Sequence, residues 1–212
     1  MYKVYGDIFS GNCYKVKLLM SLLDIGHEWV HVDILAGESR TDEFRAMNPV
    51  GKIPTLELPG GEYLSESNAI LNYLATDTDY LPTDRLSRAR VLQWQFFEQY
   101  SHEPGVAVAR FIQKYLGLPD ARRADYAAAQ ATGAQALTIM EQHLSQRAYF
   151  VDDRYTIADI SLYAYTHVAT EGGFDMAPYS AIDAWLERVA SHPRHVTMEQ
   201  FGARERRAVP PT

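Results

Sequence analysis

The sequence of 212 residues contains one cysteine, Cys13, which excludes a disulfide bond within the chain. It has no apolar run of about 18 residues, the length that spans a membrane as a helix, and no signal-peptide pattern follows Met1. Acidic residues outnumber basic ones, and the net charge of -7 argues against a general nucleic-acid surface. We therefore expect a cytoplasmic protein that binds neither nucleic acid nor membrane.

The signatures of three common kinds of site are also missing. There is no glycine-rich phosphate loop and no pair of carboxylates spaced for acid–base chemistry. His192 and His195 flank Pro193, and no third ligand is evident near them. Because a metal needs more ligands than this, we expect no metal site.

The chain does have the composition of an ordinary globular protein, with 47% hydrophobic and 22% charged residues. Hydrophobic periodicity predicts the order β-α-β-α-β-β-α over residues 1–77, which is typical of a small sheet covered by helices. A polar linker follows at 78–86, and residues 87–212 show helical patterns throughout. We predict an α/β first domain and an all-α second domain.

Two local patterns give sharper predictions. Val30, Val32 and Ile34 alternate with polar residues, which predicts a half-buried strand over that stretch. Thr156 and Asp159 resemble a capping box, with Asp at the position that usually holds Glu. The second pattern predicts the start of an apolar helix.

Candidate functional residues begin in the polar loop before the first helix. Ser10 can donate a hydrogen bond to an anion, where the helix N-terminus adds positive potential, or it can simply cap the helix. Asn12 can donate through its amide to the same anion, or it can form the turn. Cys13 is either a nucleophile whose thiol ionises easily at this place, or a buried and inert side chain.

A second candidate segment runs from Asn48 to Leu56. Ile53-Pro54 precedes an apolar strand, and this bond is either cis, as in some tight turns, or an ordinary trans bond. In the cis form the backbone of Ile53 would face outward and pair with a peptide as a strand does. Lys52 can reach a carboxylate, or it is a solvated loop residue.

The third segment, Leu64 to Ile70, is a polar pair followed by an apolar helix. In one interpretation Ser65 caps that helix and Glu66 complements its dipole. In the other, the hydroxyl and N–H of Ser67 bind a ligand carboxylate while Glu66 pairs with its ammonium. The second and third segments together can therefore hold a small peptide.

Taken in order and at these spacings, the segment Asn48-Pro49…Ile53-Pro54, the segment Glu66–Ile70 and the box Thr156–Asp159 resemble a cytosolic glutathione transferase over nearly the whole chain. The resemblance implies a thioredoxin-like first domain, an all-helical second domain and a homodimer. It implies glutathione as cosubstrate and no metal. Asp159 is carried over as a folding residue only.

The resemblance also implies roles for the candidate residues. Ser10 matches the thiol-activating serine of theta- and zeta-like members, and Asn12 is placed like the asparagine of nu-like members. The class of glutathione transferase is therefore not assigned. The peptide site would comprise Arg40, Lys52, Ile53, Pro54, Glu66 and Ser67. Arg40 stands near the place where theta-like members put a histidine for the glycyl carboxylate.

The second substrate would be a small hydrophobic electrophile or a disulfide. Candidate walls for an electrophile pocket in the helical domain are Phe97, Tyr100, Val108 and Phe111, which can equally be core residues. Two rival functions remain: a glutathione-dependent disulfide reductase, favoured by Asn12, and a non-catalytic glutathione-binding or scaffold protein.

Overall fold

Four strands form one mixed sheet. In the computed structural model, which describes residues 1–198 and 200, the strands are β1 (Tyr2–Gly6), β2 (His27–His31), β3 (Thr55–Glu57) and β4 (Tyr63–Ser65). Their order is β2-β1-β3-β4, with β1 parallel to β2 and antiparallel to β3, and β3 and β4 forming an antiparallel hairpin. A parallel pair needs a long crossover, and a helix between β1 and β2 supplies it.

Three helices accompany this sheet: α1 (Gly11–Leu22), α2 (Asp42–Met47) and α3 (Ser67–Leu74). Helix α1 packs against α3. Their apolar side chains, such as Leu18, Leu19, Ile70 and Leu71, are fully buried, and burial of this kind of surface supplies most of the stability. The first part of the chain is therefore a small α/β unit, as predicted.

Over residues 77–192 the regular elements are helices: α4 (Arg85–Phe97), α5 (Glu103–Arg110), α6 (Arg123–Leu144), α7 (Ile157–Thr166) and α8 (Ser180–Ala190). Wide π-helical turns at Glu98–His102 and Phe111–Tyr115 extend α4 and α5. A Cβ added to Gly105 would lie 2.3 Å from the backbone nitrogen of Gly133, so only glycine permits the close crossing of α5 and α6. The predicted all-α character is confirmed.

The predicted capping box is present at the start of α7. Thr156 accepts a hydrogen bond from the N–H of Ala158, and the carboxylate of Asp159 accepts one from the N–H of Thr156. Asp159 also accepts from the N–H of Phe150 and from the indole N–H of Trp185. The carboxylate thereby ties α7 to α8 and to the preceding loop.

The chain divides into two compact units, 1–76 with the segment from Pro193, and 77–192. Within the first unit, the Tyr14 hydroxyl donates to the carbonyl of Val196 at 2.7 Å, and the Ser21 hydroxyl donates to the carbonyl of Arg194 at 2.8 Å. The division predicted from the sequence, with a first domain over 1–77, a linker at 78–86 and a second domain from 87, stays a prediction. The end of the predicted second domain includes residues outside the described part of the chain.

Two local predictions were wrong. Strand β2 runs over His27–His31 rather than from Val30 to Ile34, because its parallel register pairs Tyr2 with His27 and Gly6 with His31. Ser65 belongs to β4 and does not cap α3, whose N-cap residue is Glu66. In the described part of the chain, no helix has the length and hydropathy needed to cross a membrane.

Candidate functional site

The N-terminus of α1 carries the first two candidate residues. Ser10 is the N-cap, with an extended backbone, and its Oγ accepts a long hydrogen bond of 3.4 Å from the N–H of Cys13. Asn12 follows in the first turn, and both side chains are half-buried. The capping interpretation of Ser10 is confirmed, and this geometry still leaves the hydroxyl hydrogen of Ser10 able to donate elsewhere.

Asn12 and Ser67 meet although they are far apart in sequence. The Ser67 hydroxyl donates to Oδ1 of Asn12 at 3.3 Å, and this joins the first turns of α1 and α3. Helix N-termini carry unpaired N–H groups and partial positive charge. Two such ends side by side form a place suited to an anionic ligand.

Lys15 completes this cluster from beneath. Its side chain is fully buried, and Nζ donates to Oδ1 of Asn12 at 2.8 Å and approaches Oγ of Ser67 at 3.5 Å. A buried ammonium is costly unless hydrogen bonds replace its lost hydration. The lysine therefore puts a positive charge beside Asn12 and Ser67, at the starts of the two helices.

Cys13 points the other way, into the core of the first unit. The residue has no exposed surface, and a Cβ added to Gly6 would lie 2.6 Å from its sulfur. Burial raises the pKa of the Cys13 thiol to about 12, while hydrogen bonds at the helix start and the charge of Lys15 lower it by less. The inert interpretation of Cys13 therefore agrees with the structure better than the nucleophilic one.

Glu66 and Ser67 lie at the start of α3 in different environments. Glu66 is exposed, has a φ of 67°, and makes no capping hydrogen bond through its side chain. Ser67 is buried and uses its hydroxyl within the cluster described above. The carboxylate of Glu66 is thus accessible to a ligand cation, whereas the Ser67 hydroxyl must exchange partners to reach a ligand.

The loop before β3 is held together by Asn48. Its side-chain N–H group donates to the carbonyl of Lys52 at 2.7 Å and to Oγ1 of Thr55 at 3.2 Å. The Ile53-Pro54 peptide bond is cis, so that alternative is confirmed. Within residues 1–198 and 200, the backbone N–H and C=O of Ile53 have no hydrogen-bond partner.

Two basic side chains lie along the same loop. Arg40 is exposed and donates from Nη1 to the carbonyl of Val50 at 3.2 Å, and Lys52 is exposed. A Cβ on Gly51 would approach Nη1 of Arg40 to 3.3 Å, which places the guanidinium against this turn. Both side chains are therefore exposed beside this loop, and their contact with an anionic group stays a prediction.

The four residues predicted to line an electrophile pocket belong to the second unit and differ in environment. Tyr100 is 87% exposed and Val108 is 36% exposed. Phe97 is half-buried with its ring edge-on to Trp94, and Phe111 stacks on Tyr115. These contacts fit core or surface packing as well as a pocket, so the pocket stays a prediction.

Sequence reasoning missed Lys15. A signal was present, because Lys15 falls with Leu18, Leu19 and Leu22 at spacings of three, four and seven, on a face that is otherwise apolar. A lysine on a buried face marks a charge that the fold must compensate. Among the described residues, no group of three or more His, Cys, Asp or Glu side chains could hold a metal ion.

Two family models match this chain. Residues 9–77 match the family model described as glutathione S-transferase, N-terminal domain, and residues 95–193 match glutathione S-transferase, C-terminal domain. The chain is 32% identical over 191 residues to glutathione S-transferase 2 of Anopheles gambiae, covering 87% of this chain and 88% of that one.

Two further relatives bear on the chemistry. The chain is 26% identical over 201 residues to the disulfide-bond oxidoreductase YfcG of Escherichia coli, covering 86% of this chain and 87% of the other. It is 59% identical to a solved glutathione S-transferase structure from Pseudomonas fluorescens, with a TM-score of 0.92, covering 93% of this chain and 98% of that one.

Proposed function

Because the chain belongs to the glutathione S-transferase family, we propose that it ionises the thiol of glutathione and directs the thiolate to a small hydrophobic electrophile. The observation that carries the proposal is the meeting of α1 and α3 at Asn12 and Ser67, with the ammonium of Lys15 behind them. A thiolate and a carboxylate are the two anions of glutathione that such a place would favour.

The proposed site holds glutathione in an extended form. The backbone of Ile53, which follows the loop that Asn48 orders, pairs with the cysteinyl backbone, next to Pro54. Ser67 and Glu66 hold the carboxylate and the ammonium of the γ-glutamyl end. Lys52 and Arg40 attract the glycyl carboxylate.

Either Ser10 or Asn12 activates the sulfur. One hydrogen bond to a charged partner contributes about 1.5–3 kcal/mol. This lowers a thiol pKa by about one to two units, since one unit corresponds to about 1.4 kcal/mol. The thiol proton leaves to solvent, and the sulfur electron pair forms the new bond as the electrophile releases its leaving group. The proposal assigns recognition of the electrophile to Phe97, Tyr100, Val108 and Phe111.

Thiolate formation is tested by the ultraviolet absorbance of bound glutathione as a function of pH. We expect the thiol pKa to rise by about one unit in whichever of Ser10→Ala and Asn12→Ala removes the donor. Ser21→Ala and Asn72→Ala are matched controls on α1 and α3, since their side chains bond to backbone carbonyls instead. An unchanged pKa in both site variants would remove both residues from the mechanism.

Binding is tested by titrating glutathione into the protein in a calorimeter. Replacing both Glu66 and Ser67 with alanine should weaken binding by at least about tenfold, since charge-assisted hydrogen bonds are lost. If the wild-type protein bound no glutathione at millimolar concentration, the proposed function would be excluded.

Disulfide reduction is the second candidate, and it is favoured by the likeness to the disulfide-bond oxidoreductase of Escherichia coli and by Asn12, which is placed like the asparagine of nu-like members. In this reaction the glutathione thiolate attacks a disulfide sulfur and releases one thiol. A second glutathione then attacks the mixed disulfide, which yields oxidised glutathione and the second thiol. Turnover with hydroxyethyl disulfide but not with chlorodinitrobenzene would favour this candidate.

Full occupancy by glutathione without turnover on either substrate would instead indicate a binding or scaffold role.

The homodimer and the cytoplasmic location expected from the sequence remain part of the proposal. Sedimentation of the purified protein measures its mass, and a species of one chain would remove the dimer from the proposal.

A further inference from the structure

Core packing does not explain why the charged side chain of Lys15 is buried in the first unit. Its side chain has no exposed surface and lies one turn after Asn12 on α1. The neighbouring positions Leu18, Leu19 and Leu22 on the same helical face are apolar. An apolar side chain of similar volume would fill this space without the cost of removing an ammonium from water.

The hydrogen bonds of Lys15 determine how Asn12 is oriented. A lysine ammonium has three donors and no acceptor, so the group facing it must be an oxygen. The carboxamide of Asn12 therefore turns Oδ1 toward Nζ, at 2.8 Å. The hydroxyl of Ser67 donates to the same oxygen at 3.3 Å, and once this hydroxyl turns to a ligand, Lys15 still holds Oδ1 in this orientation.

The consequence concerns the other end of the carboxamide. With Oδ1 directed at Lys15 and Ser67, the N–H donors of Asn12 point away from the buried ammonium. If the amide were reversed, its N–H group would face the lysine donors and both would lose hydrogen bonds. Lys15 thus excludes the orientation in which Asn12 would present an acceptor, which would repel a thiolate.

The field of Lys15 also reaches the start of α1. Its charge lowers the pKa of the Cys13 thiol, against the larger effect of burial. A negative sulfur held by Asn12 would lie in the same positive field and would be stabilised by it. Orientation and charge therefore act in the same direction.

We propose that Lys15 is a positioning residue of the glutathione site: its buried ammonium fixes the carboxamide of Asn12 with the N–H donors toward the glutathione sulfur. This inference rests on the proposed function, and it assigns the sulfur contact to Asn12 rather than to Ser10 alone. Lys15 acts mainly by positioning Asn12, its field on the sulfur is the smaller contribution, and it does not touch glutathione.

The test compares wild type with Lys15→Met, which keeps the length of the side chain and removes the charge and the donors. We expect the thiol pKa of bound glutathione to rise by about one unit, from the loss of one charge-assisted contact. Below that pKa, kcat with chlorodinitrobenzene should fall about tenfold, while the affinity for glutathione changes less. Lys17→Met is the matched control, because Lys17 is on the same helix and bonds to His27.

A double-mutant cycle separates positioning from general stability. If Lys15 acts through Asn12, Lys15→Met should shift the thiol pKa much less when Asn12 is already alanine. A purely structural lysine would change the melting temperature and leave the thiol pKa unchanged. An undiminished shift in the Asn12→Ala background would overturn the proposal.

Two more variants keep the inference testable. If Lys15→Met does not fold, Lys15→Gln supplies an N–H donor without the charge and should give a smaller rise in the thiol pKa. Asn12→Asp should pair with Lys15 but face the sulfur with an oxygen, so the pKa should rise more than in Asn12→Ala.

The outcomes also distinguish this inference from the proposed function. A wild type that binds and ionises glutathione, with Lys15 variants identical to it in thiol pKa, overturns the role of Lys15 alone. A wild type that binds no glutathione overturns both.

Discussion

Lys15 in the first unit and Asp159 in the second are both charged side chains with no exposed surface, and their partners differ in kind. Asp159 accepts hydrogen bonds from the backbone of Thr156 and Phe150, from the Thr156 hydroxyl and from Trp185. Each of these donors belongs to a helix start, a loop or a core ring, so the carboxylate links elements of the fold.

Lys15 instead bonds to side chains of Asn12 and Ser67, which lie at the ends of two helices where a ligand is expected. A buried charge whose partners are backbone groups and core side chains has its main effect on folding. One whose partners are side chains of a candidate site has its main effect on chemistry. The two residues thus suggest a rule for sorting buried charges, and the first two predictions below test its folding side.

The largest effect should come from Asp159→Ala. Four donors would lose their acceptor, and breaking a buried polar network of this kind costs about 3–5 kcal/mol. We expect the free energy of unfolding, measured with urea, to fall by about that amount or the chain not to fold. Asp159→Asn should cost less, because one oxygen remains as an acceptor. A loss below about 1 kcal/mol for the alanine variant would contradict the folding role.

The pH dependence of stability gives a second test on the same side. Burial raises the pKa of the Asp159 carboxyl to about 6 from 3.8, although its hydrogen bonds oppose the rise. Between these two values the folded protein holds a proton that the unfolded chain has lost. The contribution of Asp159 to stability is therefore greatest below the lower value and decreases by about 3 kcal/mol as the pH rises through the upper one.

The measurement is the difference in free energy of unfolding between wild type and Asp159→Asn, followed by urea unfolding over this pH range. The asparagine variant cannot titrate at this position, so effects of other groups cancel in the difference. A difference that grew in favour of wild type with increasing pH would show that the hydrogen bonds outweigh burial.

The sequence was sufficient for those parts of the fold that depend on local patterns. The capping box at Thr156 and Asp159 and the helical second part are present as predicted. The bounds of β2 were missed because alternating residues show a half-buried strand but not its register. That register is set by pairing with β1, at least twenty residues away in the chain.

The site was predictable one residue at a time but not as an arrangement. Ser10, Asn12 and Ser67 could be selected because their types suit anion binding at helix starts. The contact between Asn12 and Ser67 spans 55 positions and depends on how the sheet brings α1 and α3 together. Lys15 was missed although its spacing from Leu18, Leu19 and Leu22 was visible in the sequence, because a lysine on a helix is ordinarily solvated.

A smaller effect is expected at Glu66, where function and stability should oppose each other. Its φ of 67° lies in the region that favours glycine. Glu66→Gly should therefore stabilise the protein by up to about 1 kcal/mol and weaken glutathione binding, since the carboxylate is lost. Asp77→Gly, at a φ of 60°, is the matched control that should relieve a similar conformation without affecting binding. Equal losses of affinity in both variants would argue against a ligand contact at Glu66.

The smallest effect should be at Cys13, which tests whether proximity alone makes a buried group functional. Cys13 lies between Asn12 and Lys15 on α1, but its sulfur is buried against Gly6, and burial raises its pKa to about 12. A thiol that stays protonated and inaccessible reacts slowly with disulfide reagents. We expect no labelling of the folded protein at neutral pH, full labelling in urea, and less than about a twofold change of kcat/KM in Cys13→Ala. Rapid labelling of the folded protein would show that α1 opens at its N-terminus. Cys13 would then count, like Lys15, as a residue that can affect the chemistry of the site.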